Sequence, residues 1–406
     1  MQSTSENAPA RSRSALAANV KIIGLGRAGV KILGEFVKMP EAAWIEAAVV
    51  DTDSASVASS PVKTRLLVGE EWTSGFGCGG NPVKGETVLS HKSNISIKEF
   101  IEGASLLFVV GGFGGGTATG GSTVIARLAR EKGIPAIFLA TIPFSFEGHA
   151  KREIAEGRIE SLVKSADLLV PVPNDLLYSS LPASAPSETA FEKANEEVAR
   201  AALGLAEVLR CDNLLPIDFS DFQNLLSKRK CECAIGVGVA ETGTDADRCH
   251  AALERLMQSP LLGGKKSLAE AHAVILTLTG GTGLPIGEIR QTLDAVTRVV
   301  SKKAAVSVGA NTDSAYGNRI QLTALAIKYD LAAEPPPDDE QRLPSHQKGR
   351  RSQNRLRDTG SFVQPELPFQ RESRGAFSNT TPTNYKGEDL DIPPFQRRGV
   401  HLDKGK

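Results

Sequence analysis

Three glycine-rich stretches hold the residues best suited to chemistry in this chain of 406 residues. The first, "GLGRAG", runs from Gly24 through Gly26, Arg27 and Ala28 to Gly29, with Lys31 just beyond. It follows an apolar run and precedes a helical pattern. That is the dinucleotide fingerprint, in which glycines let backbone approach a pyrophosphate at a helix N-terminus. Asp51 and Asp53 lie 22–24 residues after Gly29, near the place of a ribose-binding acid. The second stretch, "GGFGGGTATGG" at 111–121, has the same strand-to-helix setting and contains Gly114, Gly115, Gly116, Thr117, Ala118, Thr119 and Gly120. Its hydroxyls add donors to exposed backbone N–H groups, and an anion at such a terminus gains about 0.3–1 kcal/mol from the dipole. Two such termini aimed at one crevice suit a longer phosphate chain than a dinucleotide needs. The third stretch, "GFGCGGNPVKG" at 75–85, carries Gly79, Gly80 and Asn81 and could close over the end of that chain. No P-loop motif occurs.

The elements that must position these loops read as α/β. "VKIIGLG", "IEAAVVDTD", "ASLLFVVGG", "IPAIFLATIPF" and "SADLLVPVPND" read as strands, with helices such as "AGVKILGEFVKM" and "STVIARLAREKG" between them. Such alternation predicts a mainly parallel, Rossmann-like sheet covered on both faces. A long amphipathic helix is predicted over 191–209, "FEKANEEVARAALGLAEVL". Beyond it, "ECAIGVGVAE", "AHAVILTLTGG" and "AAVSVGANTD" read as strands, with one helix over "TDADRCHAALERLMQ", giving a smaller α+β domain.

Composition bounds the remaining classes. The chain is 41% hydrophobic and 23% charged, with 47 basic and 47 acidic residues, so bulk electrostatics do not point to nucleic acid. No apolar run approaches the roughly 20 residues of a membrane span, and the polar start lacks a signal-peptide core, so direct membrane insertion is not expected. Cys78, Cys211, Cys231, Cys233 and Cys249 fit no zinc spacing and read as packing thiols; no metal site of the protein's own is expected. Residues 1–19 read as a disordered leader. From about Ala332 the chain turns proline-rich and polar, which predicts a disordered linker spanning roughly 40 Å. An apolar island, "EDLDIPPFQRR" at 388–398, follows and looks like bait for a partner.

The glycine loop "GGFGGGTATGG" resembles the signature of the tubulin/FtsZ family, with Ala118 in place of one glycine. "TIPFSFEGHAKR", "VPVPNDLL", "AFEKANEEVARAALGLAEVL", "IDFSDF", "AIGVGVA", "SPLL" and "LTLTGGTGL" follow in the order and spacing of bacterial FtsZ, and "LDIPPFQRR" resembles its C-terminal peptide. The resemblance covers about 20–330 and 388–398. It implies a GTP-binding domain over 20–190, a central helix and synergy loop over 191–220, and a GTPase-activating domain over 221–330. A linker over 331–387 and a partner-binding peptide over 388–406 complete the expected order.

The same resemblance implies binding of GTP and GDP, with Mg2+ accompanying the nucleotide. Gly24, Gly26, Gly29 and the signature loop carry over directly as nucleotide contacts. Asp53 matches an acid near the phosphates, Gly79, Gly80 and Asn81 the loop sensing the γ-phosphate, and Glu147 a ribose contact. Asn195 and Glu196 match the pair that recognises guanine. Asp218 and Asp221 in "IDFSDF" match the acids that polarise the attacking water. They follow a helix about 30 Å long, so they would serve the nucleotide of the next subunit in a head-to-tail filament. The implied role is a polymerising GTPase of the bacterial division ring, cytoplasmic and at mid-cell, tethered through Leu390 to Arg398 by membrane-anchored partners. Departures from the family pattern are Arg27 and Ala28 in the first loop, Lys31 for an asparagine, Lys151 for an arginine, Glu196 for an aspartate and Pro216 for an asparagine. They leave open a GTP-binding filament protein with little or no hydrolysis, and the "GLGRAG" match by itself leaves open a dinucleotide-dependent oxidoreductase.

Overall fold

The computed structural model describes residues 19–91, 95–163, 165–178, 186–207, 214–215, 217, 231–242, 247–329, 384–385 and 388–389. Six parallel strands form the first sheet: β1 (Val20–Leu25), β2 (Glu46–Asp51), β3 (Thr64–Leu67), β4 (Leu106–Gly112), β5 (Ala136–Ile142) and β6 (Leu168–Pro173). Their order is β3-β2-β1-β4-β5-β6. Between them run α1 (Gly26–Phe36), the short α2 (Ser54–Ala58) and α3 (Glu70–Thr73), then α4 (Pro82–Ser90), α5 (Ile95–Ile101), α6 (Thr117–Glu131), α7 (His149–Leu162) and α8 (Asn174–Tyr178). Every residue of β1 and β5 is buried, as parallel strands covered on both faces require. Alternate side chains serve two cores. Ile23, Val50, Leu107 and Val109 pack with Leu89, Ile97, Val124 and Leu162 of α4 to α7, while Ile22, Val49, Phe108 and Val110 pack with Val30, Leu33 and Phe36 of α1.

The predicted parallel sheet is present, with one strand more than the sequence reading named. β3 is four residues long and half-buried at the sheet edge, too short to show a period-2 pattern.

The central helix α9 (Ser187–Glu207) lies in the core shared with the second sheet. That sheet contains β7 (Cys231–Glu241), β8 (Ala273–Gly280), β9 (Ala305–Thr312) and β10 (Arg319–Tyr329), in the order β7-β10-β8-β9. Strand β10 is antiparallel to β7 and β8, and β8 is parallel to β9. Three helices, α10 (Arg248–Gln258), α11 (Lys265–Glu270) and α12 (Ile286–Thr297), accompany it. Strand β10 and the helices α11 and α12 are additions to the sequence reading. Within β10 the buried Gln321 and Thr323 interrupt the apolar run that would have marked a central strand.

Those polar residues face the end of α9. Gly204 packs against Thr323 so closely that a Cβ there would lie 2.2 Å from the Thr323 Oγ1. Glu207 is 1% exposed, and its carboxylate accepts hydrogen bonds from the Tyr316 hydroxyl (2.5 Å), Thr279 Oγ1 (3.0 Å) and Gln321 Nε2 (3.3 Å). Burial, with Glu207 alongside, pushes the Tyr316 phenol well above its usual range. Arg319 pairs with the buried Glu41 of the first sheet's domain.

Cys78, Cys233 and Cys249 are buried. Among the described residues, no helix is long and apolar enough to cross a membrane. In the separate unit 341–406, Asn384–Tyr385 pairs antiparallel with Glu388–Asp389. Asp218, Asp221 and Pro216 lie outside the described residues. So do 1–18, the linker 331–387 apart from 384–385, and the peptide beyond Asp389.

Candidate functional site

Strand order reverses between β1 and β4, and the loops leaving the carboxyl ends of β1, β2, β4, β5 and β6 surround one cavity of about 500 Å³. A crevice at such a switch point is the usual ligand position of an open α/β sheet. Gly26, Arg27, Ala28 and Lys31 from the start of α1 line it, together with Asp53, Gly79, Gly80, Gly114, Gly115, Gly116, Thr117, Ala118, Glu147, Lys151 and Asn195. The N-terminal turns of α1 and α6 both contribute wall residues, so N–H groups lacking an intrahelical acceptor face the same space.

The loop between β4 and α6 is shaped by Gly114, at φ +99°, where a Cβ would come within 2.8 Å of the Lys151 carbonyl oxygen and of Pro143. Its N–H donates to Thr119 Oγ1 at 2.9 Å, which pins the loop onto the first turn of α6. Beneath it, the Thr52 hydroxyl lies 2.7 Å from that of Thr117 and 3.4 Å from Cys78 Sγ, joining three loops at one buried point.

Other expected contacts sit just behind the wall. Cβ atoms on Gly24 and Gly29 would meet backbone oxygens at 2.5 and 2.4 Å, and one on Gly120 would meet the Pro82 oxygen at 2.0 Å. These three glycines allow α1 to approach its strands and α6 to approach α4. Asn81 caps α4 by accepting the Lys84 N–H at 3.1 Å. Glu196 is absent from the wall; its carboxylate is engaged by Lys193 (3.0 Å) and Arg200 (3.3 Å) on its own helix. Partial burial raises its pKa, but these two cations outweigh that and hold it below the usual carboxylate range.

The wall contains Asp51, named beside Asp53 from the sequence, and groups the sequence reading did not assign to it: Phe76, Cys78, Phe113, Asn174 and Phe191. Phe191 packs edge-on to Phe144 at 5.1 Å. Its aromatic face at the head of α9, four residues before Asn195, is the signal that was available.

Charge in the pocket is balanced pair by pair. Arg27 binds Asp53 at 2.6 Å, which lowers the Asp53 pKa, and Lys151 sits 3.4 Å from Glu147. Burial pushes the Asp51 carboxyl up, opposed by the nearby Ser56 hydroxyl and by the Thr52 N–H, which donates to Oδ1 at 2.7 Å. The wall holds three cations, Arg27, Lys31 and Lys151, and three carboxylates, Asp51, Asp53 and Glu147; Lys31 has no ion-pair partner among the described residues, so its ammonium is available to a polyanion. Among the described residues, no group of three or more His, Cys, Asp or Glu side chains could hold a metal.

A parallel sheet with two helix N-termini at its switch point and a second sheet across a central helix is the plan of the tubulin class. Residues 19–182 match the tubulin/FtsZ family GTPase domain, and residues 232–330 match the C-terminal domain of the FtsZ family. The chain belongs to the tubulin/FtsZ family, and its C-terminal match lies within FtsZ. It is 29% identical over 385 residues to the cell division protein FtsZ of Pseudomonas aeruginosa, covering 94% of this chain and 89% of that protein. An FtsZ dimer from M. jannaschii aligns at 25% identity and TM-score 0.68, covering 81% of this chain and 95% of that one. CetZ2 from Haloferax volcanii, in a GTPγS-bound protofilament, shares the fold at 23% identity and TM-score 0.60, covering 76% and 92%.

Proposed function

We propose that the pocket binds GTP and GDP, and that the chain hydrolyses GTP while assembled head to tail into filaments that act in cell division. The observation that carries this reading is the pair of helix N-termini, with Arg27, Lys31 and Lys151, around a crevice in a chain of the tubulin/FtsZ family. Phe191, Asn174 and Asn195 would hold the base, and the loops at Gly26, Gly79 and Gly114 the phosphates. Asp51 and Asp53, at the end of β2, are the wall carboxylates that would face Mg2+ in this reading, few enough to fit an ion bound mostly through phosphate oxygens. Bound there, it would neutralise phosphate charge.

Asp218 and Asp221 follow α9 (Ser187–Glu207), and the stretch of helix from Asn195 to its end is about 18 Å long at 1.5 Å per residue. They therefore act on the nucleotide of a neighbouring copy, which makes turnover depend on assembly. The FtsZ dimer and the CetZ2 protofilament among the relatives support self-association. In this reading 20–190 bind nucleotide, 191–220 form the helix and synergy loop, and 221–330 activate the neighbour. Residues 331–387 are a tether, and 388–406 engage a membrane-anchored partner through Leu390 to Arg398, holding the filament in the cytoplasm at the division site.

Phosphate release measured across a protein-concentration series, with light scattering on the same samples, tests this. Turnover per subunit rising above a threshold together with scattering is the expected result. GTP-dependent scattering without phosphate release would leave a filament protein that does not hydrolyse, and binding of dinucleotide in preference to GTP would overturn the assignment.

A further inference from the structure

Arg27 stands where the two ends of the pocket can be told apart. The wall runs from the β2 side, with Asp53, to the β6 side, with Asn174. Four strand spacings of about 4.8 Å separate those two strands, or roughly 19 Å. With the base at Asn174, Phe191 and Asn195, the phosphates run across the N-termini of α6 and α1 toward β2, and the last phosphate lies nearest Arg27. The Arg27 side chain is 72% exposed, so its guanidinium is free to move at the mouth, whereas Asp53 is 15% exposed and fixed. The Asp53 Oδ1 accepts the N–H groups of Ala55 (3.0 Å) and Ser56 (3.2 Å), and only its Oδ2 holds Arg27.

We propose that Arg27 reads the phosphate count of the bound nucleotide: Asp53 holds it when the third phosphate is absent, and it transfers to the terminal phosphate of a triphosphate. This rests on the GTP reading of the pocket. The exchange is favourable because a terminal phosphate carries about −1.5 to −2 charges against −1 for a carboxylate, and its oxygens match the planar fork of a guanidinium. A diphosphate ends short of the mouth and leaves the Arg27–Asp53 pair closed. Arg27 thereby supplies from the protein part of the neutralisation that a divalent cation provides. Lys31, one helical turn on and also in the wall, supports the same end of the chain.

The test is equilibrium binding of fluorescent GTP and GDP to the full chain, below the concentration at which it scatters light, in Mg2+ and in EDTA. Arg27→Ala is expected to weaken GTP about tenfold, or about 1.4 kcal/mol, and GDP less than twofold, with the larger GTP loss in EDTA. Arg27→Lys should recover part of the loss. Asp53→Asn, which frees the guanidinium, should tighten GTP in EDTA, where no Mg2+ shares that carboxylate, in the native background and not beside Arg27→Ala. Equal losses for the two nucleotides, or a gain from Asp53→Asn that survives without Arg27, would overturn the proposal while leaving GTP binding intact. Should Arg27→Ala not fold, Arg27→Lys and Asp53→Asn decide the matter by the same ratios. A native chain that binds neither nucleotide would instead remove the GTP reading on which the inference stands.

Discussion

At the start of α9, Phe191, Ala194 and Asn195 reach the pocket wall, while Lys193, Glu196 and Arg200 form a partly exposed ion-pair ladder along the same turns. At its end, every residue from 201 to 207 is buried, between strands of both sheets. One half keeps charge and side-chain freedom beside a site that must receive a ligand. The other half gives up both: alanines and Gly204 let the helix touch β10, and its one charge, Glu207, is enclosed by hydroxyl and amide donors.

The comparison breaks most readily at Gly204. Valine there would drive its Cβ into Thr323, at 2.2 Å from Oγ1 and 2.9 Å from Cγ2. The expected loss is about 3 kcal/mol, at the upper end of the usual cost of overpacking. Urea unfolding at unchanged slope would measure it, and adding Thr323→Ala should restore part because the two sites share one contact. Recovery of full stability by Gly204→Val alone would mean that the close approach is relaxed in solution.

Glu207→Ala comes next. It leaves the Tyr316, Thr279 and Gln321 donors facing a void, at about 2–3 kcal/mol, since hydrogen bonds to a charged group are the strong ones. Thermal unfolding of the single variant and of its combination with Tyr316→Phe gives the coupling. The pair together should cost less than the sum of the two alone.

The smallest effect belongs to the exposed ladder. Glu196→Gln should change stability by less than about 0.5 kcal/mol at neutral pH, as surface pairs do. Lys193 and Arg200 hold the folded-state pKa of Glu196 below its ordinary value. Its contribution is therefore present above that ordinary value and is lost as pH falls through the lowered one. Unfolding midpoints of the native and Glu196→Gln chains should converge in acid. A gap that widened in acid would show that the ladder is not what lowers this carboxyl.

Much of this molecule was legible because its signals are local. Buried parallel strands are nearly continuous apolar runs, so "VKIIGL" and "AIFLATI" announce β1 and β5 without help from distant residues. Phosphate loops need glycines wherever backbone must turn back or come close, which is why "GLGRAG" and "GGFGGGTATGG" stand out by composition alone. Strand β10 was hidden because Gln321 donates to Glu207 and Thr323 packs on Gly204, both on α9 and outside any local window.

The amino-acid sequence by itself determined the strand-and-helix alternation, the glycine loops and the family, since each is written in neighbouring residues. Tertiary structure alone decided which glycines line the cavity and which, like Gly24, Gly29 and Gly120, stand behind it letting elements touch. It also decided that Glu196 stands outside the cavity wall and that Arg27 faces Asp53. Spacing along a chain fixes which side chains share a helix face, but ion pairing depends on distance across loops, and only packing sets that.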